Sequence, residues 1–501
     1  MTETPASERF AARDADWRCG PIVYHVFVDR FAPPANLDAK RHLYPEPKVL
    51  KAWGEPARVG PRDEALGVRL HELEFWGGDL DSLRSKLDYI EGLGADVLYL
   101  NPIHAAWTNH KYDAHDWSAV SPEYGSREDV AVLAADLHDR GMRLMLDGVF
   151  NHVGRTSELF QRAMANPDAP ERAWFDIDPS YKHGYRAWFE APNLPEVAME
   201  RDEVKARVYR DEDSVVRGYL AEGVDGWRLD VAYDYGPEIL DDLTRSARLT
   251  KPDAWIVGEI WNDPAGWIPA CDGVMNMHLR RLILMTLEGR IPPGRAGRLL
   301  ERHAADVGDE GLLRCWNVLD NHDTPRLATT LPRPWERELA QTLQFTLPGA
   351  PLVYYGVEAG MTGDRDPEMR GPMDWDRAVE GHPEFDRLAA LVRMRRSRRA
   401  LRVGDLRVLD ADRLLAFARV TDRVLETVYV FANPSAEDAR EVVALRSPFL
   451  MNSEPLVCLR TGERFIITSG MLDVRVPPRS ALVLAPEAPQ PGRYSPYKRV
   501  P

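Results

Sequence analysis

DGVFNH (147–152), GWRLDVA (226–232), VGEIW (257–261) and LDNHD (319–323) decide how this chain folds. Each continues a short apolar run and ends in carboxylates, histidine or arginine. Short runs dense in Val, Leu, Ile, Tyr and Trp read as strands buried on both faces, the pattern of a parallel sheet. If such strands close into a barrel, their C-terminal ends converge on one mouth, and carboxylates far apart in sequence become neighbours.

The same texture extends outward. IVYHVFV (22–28), ADVLYL (95–100), MRLMLDGVF (142–150), VDGWRLD (224–230), WIVGEI (255–260), CWNVLD (315–320) and PLVYYG (351–356) read as strands. Helical stretches lie between them. LDSLRSKLDYIEGLG (80–94) spaces its apolar residues by three and four and ends at Gly94. SREDVAVLAADLHDRGM (126–142) opens with Ser126 and places Asp129 three residues on, a loose capping box. PEILDDLTRSARL (237–249) starts with proline at a helix opening. Seven or eight strand–helix units over roughly 370 residues fit a closed (β/α)8 barrel better than an open sheet.

The rhythm divides the chain. An N-terminal extension (1–20) precedes the first part of the barrel (21–151). An insertion (152–222) shows no clear strand–helix unit and is rich in aromatics and proline, including Trp174, Phe175, Tyr181, Tyr185, Trp188 and Phe189. A long insertion after a barrel strand sits on the C-terminal face, where function is built. The barrel resumes over 223–395. From 396 to 490, alternating apolar and polar residues with short turns predict an antiparallel β-sandwich, followed by a proline-rich, extended tail (491–501).

Composition narrows the chemistry. The chain has 501 residues, 44% apolar and 29% charged, the balance of a globular protein with a large core. A net charge of −15 argues against a nucleic-acid partner, because phosphate binding needs a basic surface. No run approaches the length of a membrane span, and MTETPASERFAARDADWRCG has no apolar leader segment, so a cytoplasmic location is expected. The four cysteines, Cys19, Cys271, Cys315 and Cys458, are too scattered for a metal or redox motif and read as reduced thiols.

One aspartate at a strand end is ordinarily a helix cap, and one histidine there is ordinarily a core residue. The set is different. Asp230, Glu259 and Asp323, with His152, His322 and Arg228, sit on four separate strand ends. Gathering three acids is costly, since like charges raise each other's pKa, and the arrangement suits acid/base and nucleophilic chemistry at one centre.

The ordered motifs resemble the α-amylase family of glycoside hydrolases over about residues 20–490. VYHVFVDRF (23–31), FWGGDL (75–80), NPIHAAWTNHKYD (101–113) and DRDPEMRGPMDW (364–375) resemble its cyclomaltodextrinase and neopullulanase branch. The resemblance implies a retaining hydrolase of α-1,4 and α-1,6 glucosidic bonds in maltooligosaccharides or cyclodextrins, with transglycosylation, and no required organic cofactor. It makes Asp230 the nucleophile, Glu259 the general acid/base and Asp323 the third carboxylate. Arg228 would hold Asp230 ionised, and Trp261 would help keep Glu259 dry. His152 and His322 would bind the sugar at the cleaved position, Tyr112 would form a platform under it, and Asp366 with Arg370 would grip the next sugar.

The sequence also departs from that branch. Asn151 matches a calcium-binding residue of many members, but the loop after the first strand reads APPANLDAKR, almost without acids, where calcium wants several oxygen ligands. Tyr233 and Asp234 stand where the branch commonly has Asn and Glu. The usual N-terminal β-sandwich module is missing, which leaves monomer and homodimer both open. A glucanotransferase or a trehalose-forming enzyme on the same scaffold, and a non-catalytic relative, remain alternatives; the last tends to lose the carboxylates that are present here.

Overall fold

The structure is a computed structural model describing residues 5–64, 66–488 and 494–500. Eight parallel strands close on themselves: β1 (Val23–Val26), β2 (Val97–Leu100), β3 (Arg143–Gly148), β4 (Gly226–Leu229), β5 (Trp255–Ile260), β6 (Gly273–Asn276), β7 (Trp316–Asn317) and β8 (Ala350–Tyr354). Every residue of β1, β4, β5 and β8 is buried, which is why these strands show no apolar–polar alternation. Inside the barrel, Tyr99, Met145, Trp255, Met275 and Trp316 form a packed plug. The Trp255 and Trp316 rings meet at 5.8 Å, nearly perpendicular. The interior is therefore filled, and chemistry is confined to the mouth.

The local signals explain the covering helices. Helix α1 (Ala6–Ala15) belongs to the N-terminal extension, and its Arg9 and Arg13 both pair with Asp405 at the start of the C-terminal domain. The predicted 80–94 helix is two, Leu80–Arg84 and Leu87–Leu93, ended by Gly94 in the left-handed conformation. Helix α2 (Arg127–Asp139) carries the expected box, with Ser126 and Asp129 bonded reciprocally. The insertion predicted over 152–222 is corrected at its end. Helix α3 (Val215–Ala221) buries Val216 and Tyr219, and Tyr219 packs edge-on to Trp227 of β4. It is the barrel's own helix between β3 and β4, so the loop-rich part ends before it. Helix α4 (Ala232–Thr250) follows β4 and is interrupted at Gly236.

The C-terminal domain stacks a six-stranded antiparallel sheet against a two-stranded one. Leu414, Phe431, Leu456, Leu472 and Val474 form its core. Buried Arg419 fastens it to the barrel side by donating to the carbonyls of Thr346, Leu401 and Gly404. Residues 491–493 and 501 of the predicted extended tail, and 489–490 before it, lie outside the described residues. The described part is not extended: it turns at 496–499 and buries Tyr497 against the sandwich core. All four cysteines are buried and unpaired. Among the described residues no helix is long and apolar enough to cross a membrane.

Candidate active site

Strand pairing assembles the centre. Arg228 of β4 is the register partner of Asp147 on β3 and Val257 on β5. Arg228 and Asp230, two residues apart, point to the same side. Arg228 Nη1 donates to Asp147 Oδ1 at 2.7 Å and to Asp230 Oδ1 at 3.0 Å, and its Nη2 lies 2.9 Å from Glu259 Oε2. The guanidinium is completely buried. One cation thus binds three carboxylates in a dry setting. Burial pushes the Asp230 carboxyl well up from its ordinary value, Arg228 pulls it down, and Glu259 and Asp147 push it up again. The expected contact of Arg228 with Asp230 is present and favours the ionised carboxylate, while the same cation is shared with Asp147 and Glu259. Asp147 is raised by burial in the same way. Asp147 and Asp230 thus both sit above the ordinary carboxylate value, as burial beside other carboxylates requires.

Asp323 has the opposite electrostatics. Burial raises its pKa, but the His322 ring at 2.9 Å and the Arg370 guanidinium at 3.2 Å outweigh that and hold it well below the usual carboxylate range. Arg370 also donates from Nε to the His322 carbonyl and pairs with Asp366 at 3.1 Å. Asp366 accepts from His71 Nε2 at 3.0 Å, and with Arg370 beside it stays far down despite burial.

These groups line one cavity of about 900 Å³ at the barrel mouth. Asp230, Glu259, Asp323, Tyr112, His152, Trp261, Asp366 and Arg370 all face it. Arg228 and His322 stand behind the wall rather than on it. His322 stacks on Tyr112 at 5.4 Å, nearly parallel, and is hydrogen-bonded to the Tyr112 hydroxyl. Tyr112 therefore has a fixed ring, and its hydroxyl donates to Asp147 Oδ2 at 2.9 Å. Burial lowers the His152 pKa to about 4, so the ring is neutral near pH 7. Trp261 is 48% exposed, and its indole N–H donates to Glu259 Oε1 at 2.9 Å.

Several cavity residues escaped the sequence reading. Asp147 stands in a quoted motif, yet nothing local marks it as the main partner of Arg228. Glu72 and His110 come from loops after β1 and β2 and lie 3.5 Å apart. Trp188, Phe189, Leu194 and Tyr233 give the cavity an apolar flank on the Glu259 side. Phe189 is 78% exposed and sits at φ 47°, and Glu190 follows at φ 54°. Consecutive non-glycine residues in the left-handed region are costly and cluster at functional sites.

Asn151 is buried, but no group of three His, Cys, Asp or Glu side chains among the described residues is placed to hold a metal ion. In the acid-poor loop after β1, Lys40 takes up the available oxygens itself. Its ammonium lies 2.8 Å from the Gly77 carbonyl and 2.8 Å from Asp79 Oδ2, both in the FWGGDL turn.

A filled (β/α)8 barrel whose strand ends gather Asp230, Glu259 and a supporting Asp147 on one arginine, beside the ionised Asp323, defines a carbohydrate-cleaving barrel enzyme. Residues 25–392 match the family model for the α-amylase catalytic domain. The chain is similar to neopullulanase 2 of Thermoactinomyces vulgaris, 31% identical over 94% of this chain and 78% of that protein. It is similar to cyclomaltodextrinase of Geobacillus thermopakistaniensis, 32% identical over the same shares. Its structure resembles a cyclic α-maltosyl-(1→6)-maltose hydrolase of Arthrobacter globiformis, with TM-score 0.78 and 28% identity over 94% of this chain and 99% of that one. The chain belongs to the α-amylase family of glycoside hydrolases.

Proposed function

We propose that this enzyme is a retaining α-glucoside hydrolase acting on short α-glucans, linear or cyclic, through α-1,4 and α-1,6 bonds. The observation that carries the reading is the shared guanidinium: Asp230 and Glu259 both contact Arg228 at the mouth of one cavity. A close carboxyl pair is what retention through a covalent glycosyl-enzyme requires. The enzymes named above act on maltose-based rings and related glucans, which supports the substrate class.

Asp230 serves as nucleophile. Its Oδ1 is tied to Arg228, which leaves Oδ2 to attack the anomeric carbon. Glu259 supplies the proton to the leaving oxygen and afterwards takes one from water or a sugar hydroxyl. Asp323, kept ionised by His322 and Arg370, binds sugar hydroxyls and favours positive charge developing at the ring. His152, neutral, offers a hydrogen bond to the same sugar, Tyr112 lies under it, and Asp366 with Arg370 holds the next one. Every step is carried by side chains of this chain and water.

A second reading, glycosyl transfer, is favoured by one observation. Trp188, Phe189 and Trp261 line the cavity, and Trp261 bonds the proposed proton donor Glu259, so an acceptor sugar can stack there and displace water. Transfer accompanies hydrolysis in this reading. Four free thiols favour a reducing, cytoplasmic compartment. The test is trapping with a 5-fluoro α-glucosyl fluoride, followed by peptide mapping, alongside a panel of maltotriose, cyclodextrin, pullulan and trehalose. The label is expected on Asp230, with reducing sugar released from maltotriose. A label elsewhere sinks the assignment, and trehalose as product from maltose favours the isomerising alternative.

A further inference from the structure

Val231 follows the nucleophile and carries an anomaly. It is a β-branched residue at φ 49° and ψ 41°, the left-handed region that such side chains resist. The surroundings impose this. Asp230 N–H donates to the Gly148 carbonyl at 3.1 Å, which completes the pairing of β4 with β3. One residue later the chain enters α4, and Asp234 N–H already bonds the Val231 carbonyl at 2.9 Å. A left-handed residue makes that sharp turn. As a helix cap, Val231 has a backbone N–H that the helix does not use. That N–H donates to Glu259 Oε2 at 3.0 Å.

From this geometry, and resting on the roles proposed above, we infer that Val231 is a positioning residue for Glu259: its backbone N–H, with Arg228, reserves Oε2 as an acceptor and so places the acid's transferable proton on Oε1. Oε2 accepts the Val231 N–H at 3.0 Å and lies 2.9 Å from Arg228 Nη2 as an ion-pair contact. A hydrogen on Oε2 would point against the Val231 N–H or lie beside the guanidinium charge. Oε1 faces the indole N–H of the cavity-lining Trp261 at 2.9 Å. An O–H at Oε1 accepts from Trp261 through its remaining lone pair and donates elsewhere. In the glycosylation step the Oε1 proton passes to the glycosidic oxygen. The C1–O electron pair leaves with that oxygen, and Asp230 Oδ2 forms the new bond to C1. Glu259 is left as a carboxylate whose charge, on Oε2, already meets Val231 N–H and Arg228. These donors do not reorganise as the charge appears. The backbone strain after the nucleophile is thus part of how the acid is oriented.

The test removes the N–H without changing the side chain. Val231 is replaced by its α-hydroxy acid through nonsense suppression, which turns the amide into an ester. The kcat/KM for maltotriose, which needs protonation of a poor leaving group, is compared with that for α-maltosyl fluoride, which does not. The ester variant is expected to lose about tenfold or more on maltotriose and less than about threefold on the fluoride, since a misdirected acid hurts only the former. Val231→Gly keeps both the N–H and the left-handed turn, and its substrate ratio is expected within about threefold of the parent. Equal losses of the ester variant on both substrates overturn the inference. So does a Val231→Gly enzyme that reproduces the ester's discrimination. Glu259→Gln separates this idea from the proposed function: if it fails to discriminate by leaving group, the acid assignment itself is wrong. Neutron diffraction of deuterium-exchanged parent crystals, titrated to lower pH until a carboxyl deuterium appears on Glu259, reads the same point without a variant. Deuterium on Oε1 is expected, and deuterium on Oε2 refutes it.

Discussion

Arg228 and Asp147 face each other across paired strands, register partners on β4 and β3, with Nη1 2.7 Å from Oδ1 and 2.9 Å from Oδ2. Asp147 also accepts from the hydroxyls of Tyr99 at 2.6 Å and Tyr112 at 2.9 Å. It is therefore the anchor that fixes both the arginine of the acid pair and the ring under the bound sugar. Asp147→Asn is expected to cost about 3–5 kcal/mol, because it breaks a buried ion pair and turns one of the two oxygens that accept from Arg228 into a donor facing it. Turnover of the folded fraction should fall by roughly a hundredfold or more, as a displaced Arg228 no longer orients Asp230 and Glu259. Urea unfolding together with single-turnover kinetics checks both. Normal turnover would show that Asp147 is only structural.

The aromatics of the insertion separate by exposure. Phe189 is 78% exposed on the cavity flank, whereas Trp188 is half-buried and stacks on His152 at 5.4 Å. Phe189→Ala should leave stability within about 0.5 kcal/mol. Its products from maltotriose should shift from transfer oligosaccharides toward free sugar. Trp188→Ala should cost measurable stability, though less than the roughly 3–5 kcal/mol of a core aromatic. It should also raise KM, because His152 loses its support. Product ratios by chromatography and thermal melts decide this; an unchanged ratio in both variants places acceptor binding elsewhere.

A second buried charge cluster sets acid stability. Glu123 is paired with Lys48 and lies 3.4 Å from fully buried Lys111, with the Ser121 hydroxyl also bonded to it. Burial raises its pKa, but the two ammonium groups prevail and hold it at about 2, against an ordinary 4.5. The folded value is depressed, so the contribution is complete above about pH 4.5 and is lost as pH falls toward about 2. The shift corresponds to on the order of 3 kcal/mol. Glu123→Gln should therefore be destabilised at pH 7, and its deficit should shrink as pH approaches 3. A deficit independent of pH would assign the effect to packing instead.

Lys40 bridges the loop after β1 to the FWGGDL turn through Gly77 and Asp79. Treatment with EDTA is expected to leave the melting temperature unchanged. Lys40→Met should lower stability by roughly 1–3 kcal/mol, the range for charge-assisted hydrogen bonds that are partly buried. Added calcium should not restore it. Loss of stability with EDTA, reversed by calcium, would show a metal tie that the side chains do not suggest.

The strand–helix alternation, the barrel, the antiparallel C-terminal domain and the residues at the strand ends are legible in the amino-acid order. These properties are local or periodic. Buried strands such as WIVGEI are apolar along their whole length, Ser126 and Asp129 cap a helix within four residues, and Gly94 ends one. β6 (Gly273–Asn276) is not legible in the sequence because GVMN lacks the dense apolar run that marks the other strands. Helix α3 is not separable from the insertion in the sequence because its seven residues, after Ser214, are too few to show a helical apolar period. The distribution of charge, by contrast, emerges only in the folded barrel. Asp147, Asp230 and Glu259 come from three strands, and their sharing of Arg228 follows from barrel register, which no segment encodes alone. The same holds for the turn at Val231. Valine gives no hint of a left-handed conformation; it is imposed where β4 ends against β3 and α4 begins, and it aims an amide at a carboxylate 28 residues further along the chain.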